Sequence, residues 1–383
     1  MCKILMDFKY RILYNLPLFR FRLQIDNIFC KNMSVEVNSV KKDADNILQT
    51  NKRQMVDEDN EVAAKAQKDT LAEIILEQFE DVREIKFQRA ARTDKGVSAV
   101  RQIVSLKLPD NVNKEEINEH LPKDIRVFGI KRVTRSFNSK NKCDARTYRY
   151  ILPTFALAPE DPDFLQTDSD EEIDEEKRLS QLSVINGKPY TEFRLTPEMF
   201  EKLNEILKLL EGTHNFHNFT SKTKPLDPRA KRYIIHFRCM EIFTANDMEF
   251  AVLEVKGQSF MLHQIRKMVS LVIGICRNIV TNDIVKDVFS LEKVGIPTAP
   301  GLGLSLHFVH YGYYNERYGT DGFHETLDWK ECDEEVEQFY KEYILKDIID
   351  TEVSEKVMLN WLATITPKRF AYKEPVATAE YIL

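Results

Sequence analysis

Residues 88–108 read QRAARTDKGVSAVRQIVSLKL, and the interpretation of the whole chain turns on them. The stretch holds one carboxylate, Asp94, set between Arg92 and Lys95 and followed by Gly96, before which the chain has no glycine. Neighbouring cations favour the charged form of a carboxylate, so Asp94 is a candidate nucleophile or ion-pair partner. Gly96 marks a turn that needs positive φ or the close approach of another group. Beyond it, Val104, Leu106 and Leu108 alternate with Ser105 and Lys107, the period of a half-buried strand. Asp94 is therefore expected in a loop that feeds a strand. An aspartate in such a turn can also do no more than satisfy nearby backbone N–H groups, and the stretch alone leaves both roles open.

Working outward, the 383 residues are 43% apolar, enough for a large core and for two or three compact units. No apolar run approaches the length of a membrane span, so no membrane partner is expected. The six cysteines (Cys2, Cys30, Cys143, Cys239, Cys276 and Cys332) are scattered without a C-x-x-C pair. Neither a zinc knuckle nor a disulfide framework is indicated, and a reducing compartment fits best.

The net charge of −6 would weigh against nucleic acid if it were spread evenly. Residues 83–149 instead carry 17 Lys/Arg against 8 Asp/Glu, a local excess of +9 that leaves −15 for the remainder. Residues 160–176 hold ten acids and no base. A basic working surface with an acidic excursion elsewhere suits phosphate binding better than the total suggests.

Several elements are legible from pattern. Thr70 and Glu73 read as a capping box for a helix with Leu71, Ile74, Ile75 and Phe79 on one face. Asn113 and Glu116 start a shorter helix ending before Pro122, and residues 126–133 return as a strand. Thr196 as N-cap, Pro197 at the first helical position and Gly212 past the end bracket another helix. Residues 249–258 alternate as a strand, and the helix that follows carries Leu262, Ile265, Val269, Val272, Cys276 and Ile279 on one stripe. Residues 297–311, PTAPGLGLSLHFVHY, are a Gly/Pro turn leading into a strand. Residues 334–349 and 354–364 read as helices.

Three further segments carry candidate chemistry. In residues 131–155, KRVTRSFNSKNKCDARTYRYILPTF, seven basic residues, Lys140, Lys142, Arg146 and Arg149 among them, are interleaved with Phe137, Tyr148 and Tyr150. That mixture holds phosphates and offers flat faces to bases. In residues 257–269, GQSFMLHQIRKMV, Arg266 lies beside the apolar stripe, where a guanidinium needs an anion or a route to water. Asp94 is the anion proposed; snorkelling or another acid is the alternative. In residues 212–222, GTHNFHNFTSK, His214 and His217 lie close together, but two further zinc ligands are wanting, so backbone hydrogen bonding and RNA contact are the expected jobs and no metal is expected.

Taken in order, ARTDKGVSA, DARTYRY and QSFMLHQIRKMV resemble the three motifs of the TruA-type tRNA pseudouridine synthase family, in particular its eukaryotic Pus1 branch, over roughly residues 70–364. The resemblance implies an α+β fold of two ferredoxin-like halves with a joined antiparallel sheet, a central basic cleft and a C-terminal helical extension. It implies isomerisation of uridine to pseudouridine without a cofactor, with tRNA as partner, other structured RNA as a further substrate and no obligate protein partner. The catalytic set carried over is Asp94 as nucleophile, Arg266 as its ion-pair partner and Tyr148 stacked on the target uracil. Arg92, Lys95, Arg146, Phe260, Leu262, Leu302 and Gly303 would bind substrate, the last two as pocket wall. Lys140, Lys142, Arg149, His214, His217 and Lys222 would contact RNA.

The implied organisation is a divergent and partly disordered region over 1–65, an N-terminal catalytic half over 66–155, an acidic insert over 156–180, a C-terminal catalytic half over 181–311 and a helical extension over 312–383. The nucleus is the expected compartment, with the mitochondrion second. The family pattern begins with a glycine- and tyrosine-rich strand that is not found ahead of Gly96. Either another segment supplies that strand or a sheet edge is left uncovered. A non-catalytic RNA-binding relative with the same basic surface is the alternative reading.

Overall fold

The computed structural model describes residues 2–6 as backbone, and 86–109, 111–160, 175–221 and 223–370 in full. The helix expected over 70–79, residues 161–174 of the acidic block and Lys222 lie outside the described residues. The strands are β1 (Cys2–Met6), β2 (Gln88–Arg89), β3 (Ser98–Ala99), β4 (Ile103–Lys107), β5 (Ile130–Val133), β6 (Ala145–Pro153), β7 (Val184–Ile185), β8 (Lys188–Pro189), β9 (Gly212–Asn215), β10 (Lys231–Ala245), β11 (Met248–Gly257) and β12 (Leu304–His310). The α-helices are α1 (Lys114–Glu119), α2 (Glu175–Leu182), α3 (Pro197–Lys208), α4 (Gln264–Cys276), α5 (Ile284–Phe289), α6 (Gly312–Tyr318), α7 (Asp333–Phe339), α8 (Lys346–Glu355) and α9 (Val357–Ala363). None of the described helices is long and apolar enough to cross a membrane.

The chain divides into two units that interleave along the sequence, so neither is a single run such as 66–155 or 181–311. The described part of the first comprises 2–6, 86–92, Gln102–Lys142 and Gly312–Glu335. Its sheet has the order β2-β4-β1-β5, and β1 pairs antiparallel with both β4 and β5. Cys2–Met6 therefore occupies the place where the sequence left a strand unassigned, and the gap between β4 and β5 is filled. Val104, Leu106, Leu108, Leu121, Ile125 and Val127 form the core of this unit. Helix α1 starts as expected, with the Asn113 side chain accepting from the Glu116 N–H at 2.8 Å. The strand expected over 126–133 is confined to Ile130–Val133, because the Arg126 guanidinium bonds the Pro122 and Ile125 carbonyls and holds the chain in a turn. Residues 312–335 belong here rather than to one continuous tail: Tyr314 meets Phe137 edge-on at 4.9 Å, and Lys131 lies 5.0 Å from the Trp329 ring.

The second unit comprises Thr93–Arg101, Cys143–Tyr311 and, of its C-terminal segment, residues 336–370 as described. Its sheet has the order β3-β12-β6-β11-β10-β9. All its pairings are antiparallel except β3 with β12, which is parallel, so the sheet is mixed and not the purely antiparallel one expected. The long hairpin β10–β11 turns at Asn246 and Asp247, both left-handed (φ 49° and 60°), the geometry a two-residue hairpin loop requires. Thr196 caps α3, accepting from the Met199 N–H, and α3 packs on β10 and on α4. Helix α4 is apolar nearly all round and correspondingly buried from Met268 to Cys276. Glu160 and Arg178, which flank the acidic excursion, are paired, and Arg277 reaches the same carboxylate at 2.8 Å.

The C-terminal helices run from α7 through a π-helical turn, Tyr340–Leu345, into α8 and α9. Glu352 is 5% exposed, and its carboxylate accepts the Met358 N–H at the start of α9 at 2.9 and 3.1 Å. Burial raises its pKa to about 7 from an ordinary 4.5, outweighing the opposing hydrogen bond from Met358. The folded state thus holds this proton more tightly than the unfolded chain. The contribution of Glu352 to stability is fully present below about pH 4.5, declines as pH rises towards 7, and is lost above that, where the buried charge costs at most about 3 kcal/mol. Glu352→Gln should raise the thermal midpoint by several degrees more at pH 8 than at pH 5; an equal shift at both pH values would contradict this.

Candidate active site

Asp94, Lys95, Gly96 and Val97 form a β-turn closed by the Val97 N–H on the Asp94 carbonyl at 3.1 Å. Gly96 sits third in the turn at φ +77°, where a type II turn requires a residue able to adopt the left-handed region. The turn packs against the Gly/Pro segment before β12: a Cβ at Gly301 would lie 3.3 Å from the Lys95 carbonyl oxygen. Two residues on, Gly303 lies against the backbone of β6, where a Cβ would sit 2.0 Å from the Ile151 oxygen. Its own carbonyl accepts the Ile151 N–H at 2.9 Å. The loop carrying Asp94 is thus seated by the two glycines that also border β12.

Opposite Asp94 stands the first turn of α4. Arg266 Nη1 is 4.0 Å from Asp94 Oδ2, within ion-pair range though not hydrogen-bonded, and both side chains are about four-fifths shielded from solvent. The guanidinium is fixed by its Nε, which donates to the Ala299 carbonyl at 2.6 Å. Burial lowers the Arg266 pKa, while Tyr150 and Asp94 raise it, and a guanidinium stays charged throughout. A cation in the first turn opposes the helix dipole, and the nearby carboxylate and carbonyl offset that cost.

On β6, Arg146, Tyr148 and Tyr150 share one side of the strand. Tyr148 is 7% exposed and meets Phe260 edge-on, with ring centroids 5.2 Å apart. Burial raises its phenol to about 12; Arg146 lowers it and the charge of Asp94 raises it further. The hydroxyl therefore stays protonated at neutral pH. Tyr150 donates to the Pro300 carbonyl at 2.8 Å, tying β6 to the same Gly/Pro segment. Arg146 Nη1 donates to the Gln258 carbonyl at 2.9 Å. Gly257 gives Phe260 its room, since a Cβ there would lie 2.9 Å from the Phe260 ring.

Asp94, Arg266, Tyr148, Arg146, Phe260, Leu302 and Gly303 all fall in the second unit, and the first four are linked by these contacts and charge interactions. Leu262 differs from expectation: α4 begins at Gln264, so Leu262 lies in the preceding turn and is 47% exposed, off the helical stripe. Lys95 and Arg92 are exposed. Lys140 and Lys142 are exposed in a first-unit turn, in which the Asn138 side chain accepts from two backbone N–H groups.

Two of the residues expected to contact RNA are engaged within the protein. His217 has no exposed surface; Asn215 and the Glu292 carbonyl are its partners, burial lowers its pKa, and its job is to tie the loop together. Arg149 points away from the Asp94 side of the sheet and bonds Glu254 at 3.1 Å, a carboxylate also met by His236 at 3.2 Å. Burial pushes Glu254 up, and these partners outweigh it to hold it below the usual range. His214 stacks on Phe289 at 4.1 Å with its Nε2 on the Glu211 carbonyl at 2.7 Å.

Sequence reasoning missed His263. Its Nε2 lies 3.6 Å from Asp94 Oδ2, the oxygen that also faces Arg266. The nearest signal in the sequence was its place three residues before Arg266, and a stripe drawn through Leu262 obscured it. Among the described residues, no three His, Cys, Asp or Glu side chains converge as a metal site.

A carboxylate faced on one oxygen by a guanidinium and an imidazole, in the unit that also carries the Tyr148–Phe260 ring pair, can act as a nucleophile on a flat, electron-poor ring or on the sugar attached to it. Comparison with known proteins points to one class. Residues 206–312, which include α4 and Arg266, match the family model described as tRNA pseudouridine synthase. That match covers 107 of the 383 residues, and curated proteins of the same description are similar to this chain over about three quarters of its length. It is 48% identical over 294 residues to the human protein named Pseudouridylate synthase 1 homolog, covering 76% of this chain and 63% of that one. It is 30% identical over 371 residues to tRNA pseudouridine synthase 1 of Candida albicans, covering 78% and 60%. The same-named protein of Saccharomyces cerevisiae is 31% identical over 312 residues, covering 67% and 57%. The chain thus spans about three fifths of the length of the curated relatives it matches.

The two glycines give a sharp test of this geometry. Gly303→Ala drives a methyl into backbone and should destabilise the second unit by at least about 2 kcal/mol. Gly96→Ala meets nothing within 4 Å and should cost only the conformational term, about 1 kcal/mol. Equal denaturation midpoints for the two variants would show the packing to be wrong.

Proposed function

We propose that this chain is a tRNA pseudouridine synthase, isomerising uridine to pseudouridine with Asp94 as the nucleophile. The observation that carries the reading is the Asp94 carboxylate, placed by a type II turn against Arg266 in the unit that also carries the edge-on Tyr148–Phe260 pair. The names of the relatives supply the RNA class: tRNA pseudouridine synthase for the fungal proteins, with the family description in agreement. Other structured RNA would be a further substrate of the same site. Two ferredoxin-like halves and a basic groove for the RNA backbone belong to the same proposal, supported by the alternation of strands and helices and by the excess of Lys and Arg over 83–149.

The reaction breaks the bond from ribose C1′ to uracil N1 and forms one from C1′ to C5, the C5 proton being lost and N1 gaining one, so the product is an isomer and no electrons are exchanged. The target uridine leaves its stack, at a cost of a few kcal/mol. Asp94 then attacks the uracil ring or C1′, or draws a proton to form a glycal; each route uses an ionised carboxylate aimed at the nucleoside. Arg266 holds that charge in place, its Nε tether to Ala299 leaving Nη1 for the acid. Tyr148 serves as a face for the base and can also assist removal of the C5 proton once the base has reattached. Shielding from water keeps the detached uracil trapped while it turns.

The test is carbodiimide primer extension on an unmodified tRNA transcript with the full chain and with Asp94→Asn, which keeps the shape and removes the charge. Wild type should give pseudouridine stops and the variant none, a loss of at least about 1,000-fold, with tRNA retention by both. Retention without product from either would favour a non-catalytic RNA-binding protein.

A further inference from the structure

We infer that His263 is a positioning residue for Asp94, and that the left-handed backbone at the entrance to α4 serves to aim it. The inference rests on the reading of Asp94 as the reacting carboxylate.

His263 adopts φ 63° and ψ 3°, the left-handed region, which non-glycine residues seldom adopt because Cβ crowds the following carbonyl, Asn, Asp and His being those most often found there. It occupies the N-cap position, its carbonyl accepting the Lys267 N–H at 3.0 Å, but its side chain makes no capping bond. Gln264, the first helical residue, folds back on the preceding turn, its side chain accepting the Met261 N–H at 2.9 Å. Asn, Asp, Ser or Gly would suit an N-cap better than His. The residue is therefore poorly matched to its place in the helix and well matched to its neighbour across the gap. Strain of this kind persists where the surroundings impose it, and it points from an outlier to a role.

The role follows from which oxygen is met. Nε2 of His263 and Nη1 of Arg266 both approach Oδ2 of Asp94, at 3.6 and 4.0 Å, which leaves Oδ1 for the nucleoside. Arg266 alone allows the carboxylate to turn about its terminal torsion, which is broad for aspartate. A second group on the same oxygen from the other side of the helix start limits that turning. At 3.6 Å the contact is longer than a hydrogen bond and within the reach from which catalytic contacts shorten when substrate is bound. The imidazole is about one third exposed, twice the exposure of the Arg266 side chain.

The experiment uses the full chain with unmodified tRNA and measures the single-turnover rate of pseudouridine formation, tRNA affinity by filter binding, and the thermal midpoint. His263→Gly and His263→Asn both suit the left-handed backbone and neither reaches Asp94. Both should lower the rate about ten- to a hundredfold, with tRNA affinity within about twofold and a thermal midpoint equal to or above that of wild type. His263→Gln, which keeps a donor of similar reach, should recover part of the rate. Wild-type rates in both the Gly and Asn variants would overturn this inference alone. So would a rate loss matched by a fall in thermal midpoint, the mark of a structural role. A wild-type chain that forms no pseudouridine overturns the functional reading, and this inference with it.

Discussion

The interaction on which the second unit's site depends is a charge held at the rim of a buried helix. Helix α4 is apolar on nearly every face, yet its first turn carries Arg266 with only 17% of its side chain exposed. A guanidinium so placed must be met by acceptors, and two are provided: the Ala299 carbonyl and the Asp94 carboxylate. The carbonyl fixes where the guanidinium lies and the carboxylate answers its charge. Neither acceptor is local in sequence, so the helix can be satisfied only when the turn from the signature stretch and the Gly/Pro segment before β12 are both in place.

The architecture reads as the means to that end. Strand β6 lies between β11 and β12 and brings Tyr148 and Tyr150 to the α4 side of the sheet, while Arg149 and Glu254 pair on the other. Tyr150 and Gly303 lock β6 to the Gly/Pro segment, Gly301 seats the turn that carries Asp94, and Arg266 holds Ala299 in the same segment. Four contacts with one short stretch of backbone thus set the position of the acid, its partner and the ring beside them. Little freedom is left for the backbone that carries the carboxylate to wander, which is what the proposed role of Asp94 as nucleophile calls for.

Much of this was legible in the sequence, for reasons that can be named. The turn at Gly96 was visible because positive φ selects glycine, the caps of α1 and α3 because Asn113 and Thr196 are residues whose side chains accept from the first turn, and Arg266 because a cation beside an apolar stripe calls for an acid. Strand β10 was not, although it is the longest strand described. Register shifts between Ile234 and His236 and between Cys239 and Glu241 break the two-residue period that marks a strand. Strand β1 was not, because its pairing with β4 and β5 is a long-range choice among several apolar segments. His263 escaped notice because its left-handed backbone is imposed by its surroundings and leaves no trace in residue type. The burial of His217 was equally silent, since a histidine between phenylalanines looks the same whether it faces RNA or a backbone carbonyl.

The charged contact at α4 also explains why the site needs both its acid and an arginine. Lysine offers a single point charge on a flexible stem, whereas a guanidinium can donate to a carbonyl through one nitrogen and face a carboxylate through another. The most direct measurement is the single-turnover rate of pseudouridine formation by Arg266→Met, which keeps the bulk and loses the charge, with Arg266→Lys beside it. The account expects a fall of at least about 100-fold for Met and at least about tenfold for Lys, with tRNA affinity and the folded state retained. A methionine variant that turns uridine over at the wild-type rate would contradict it.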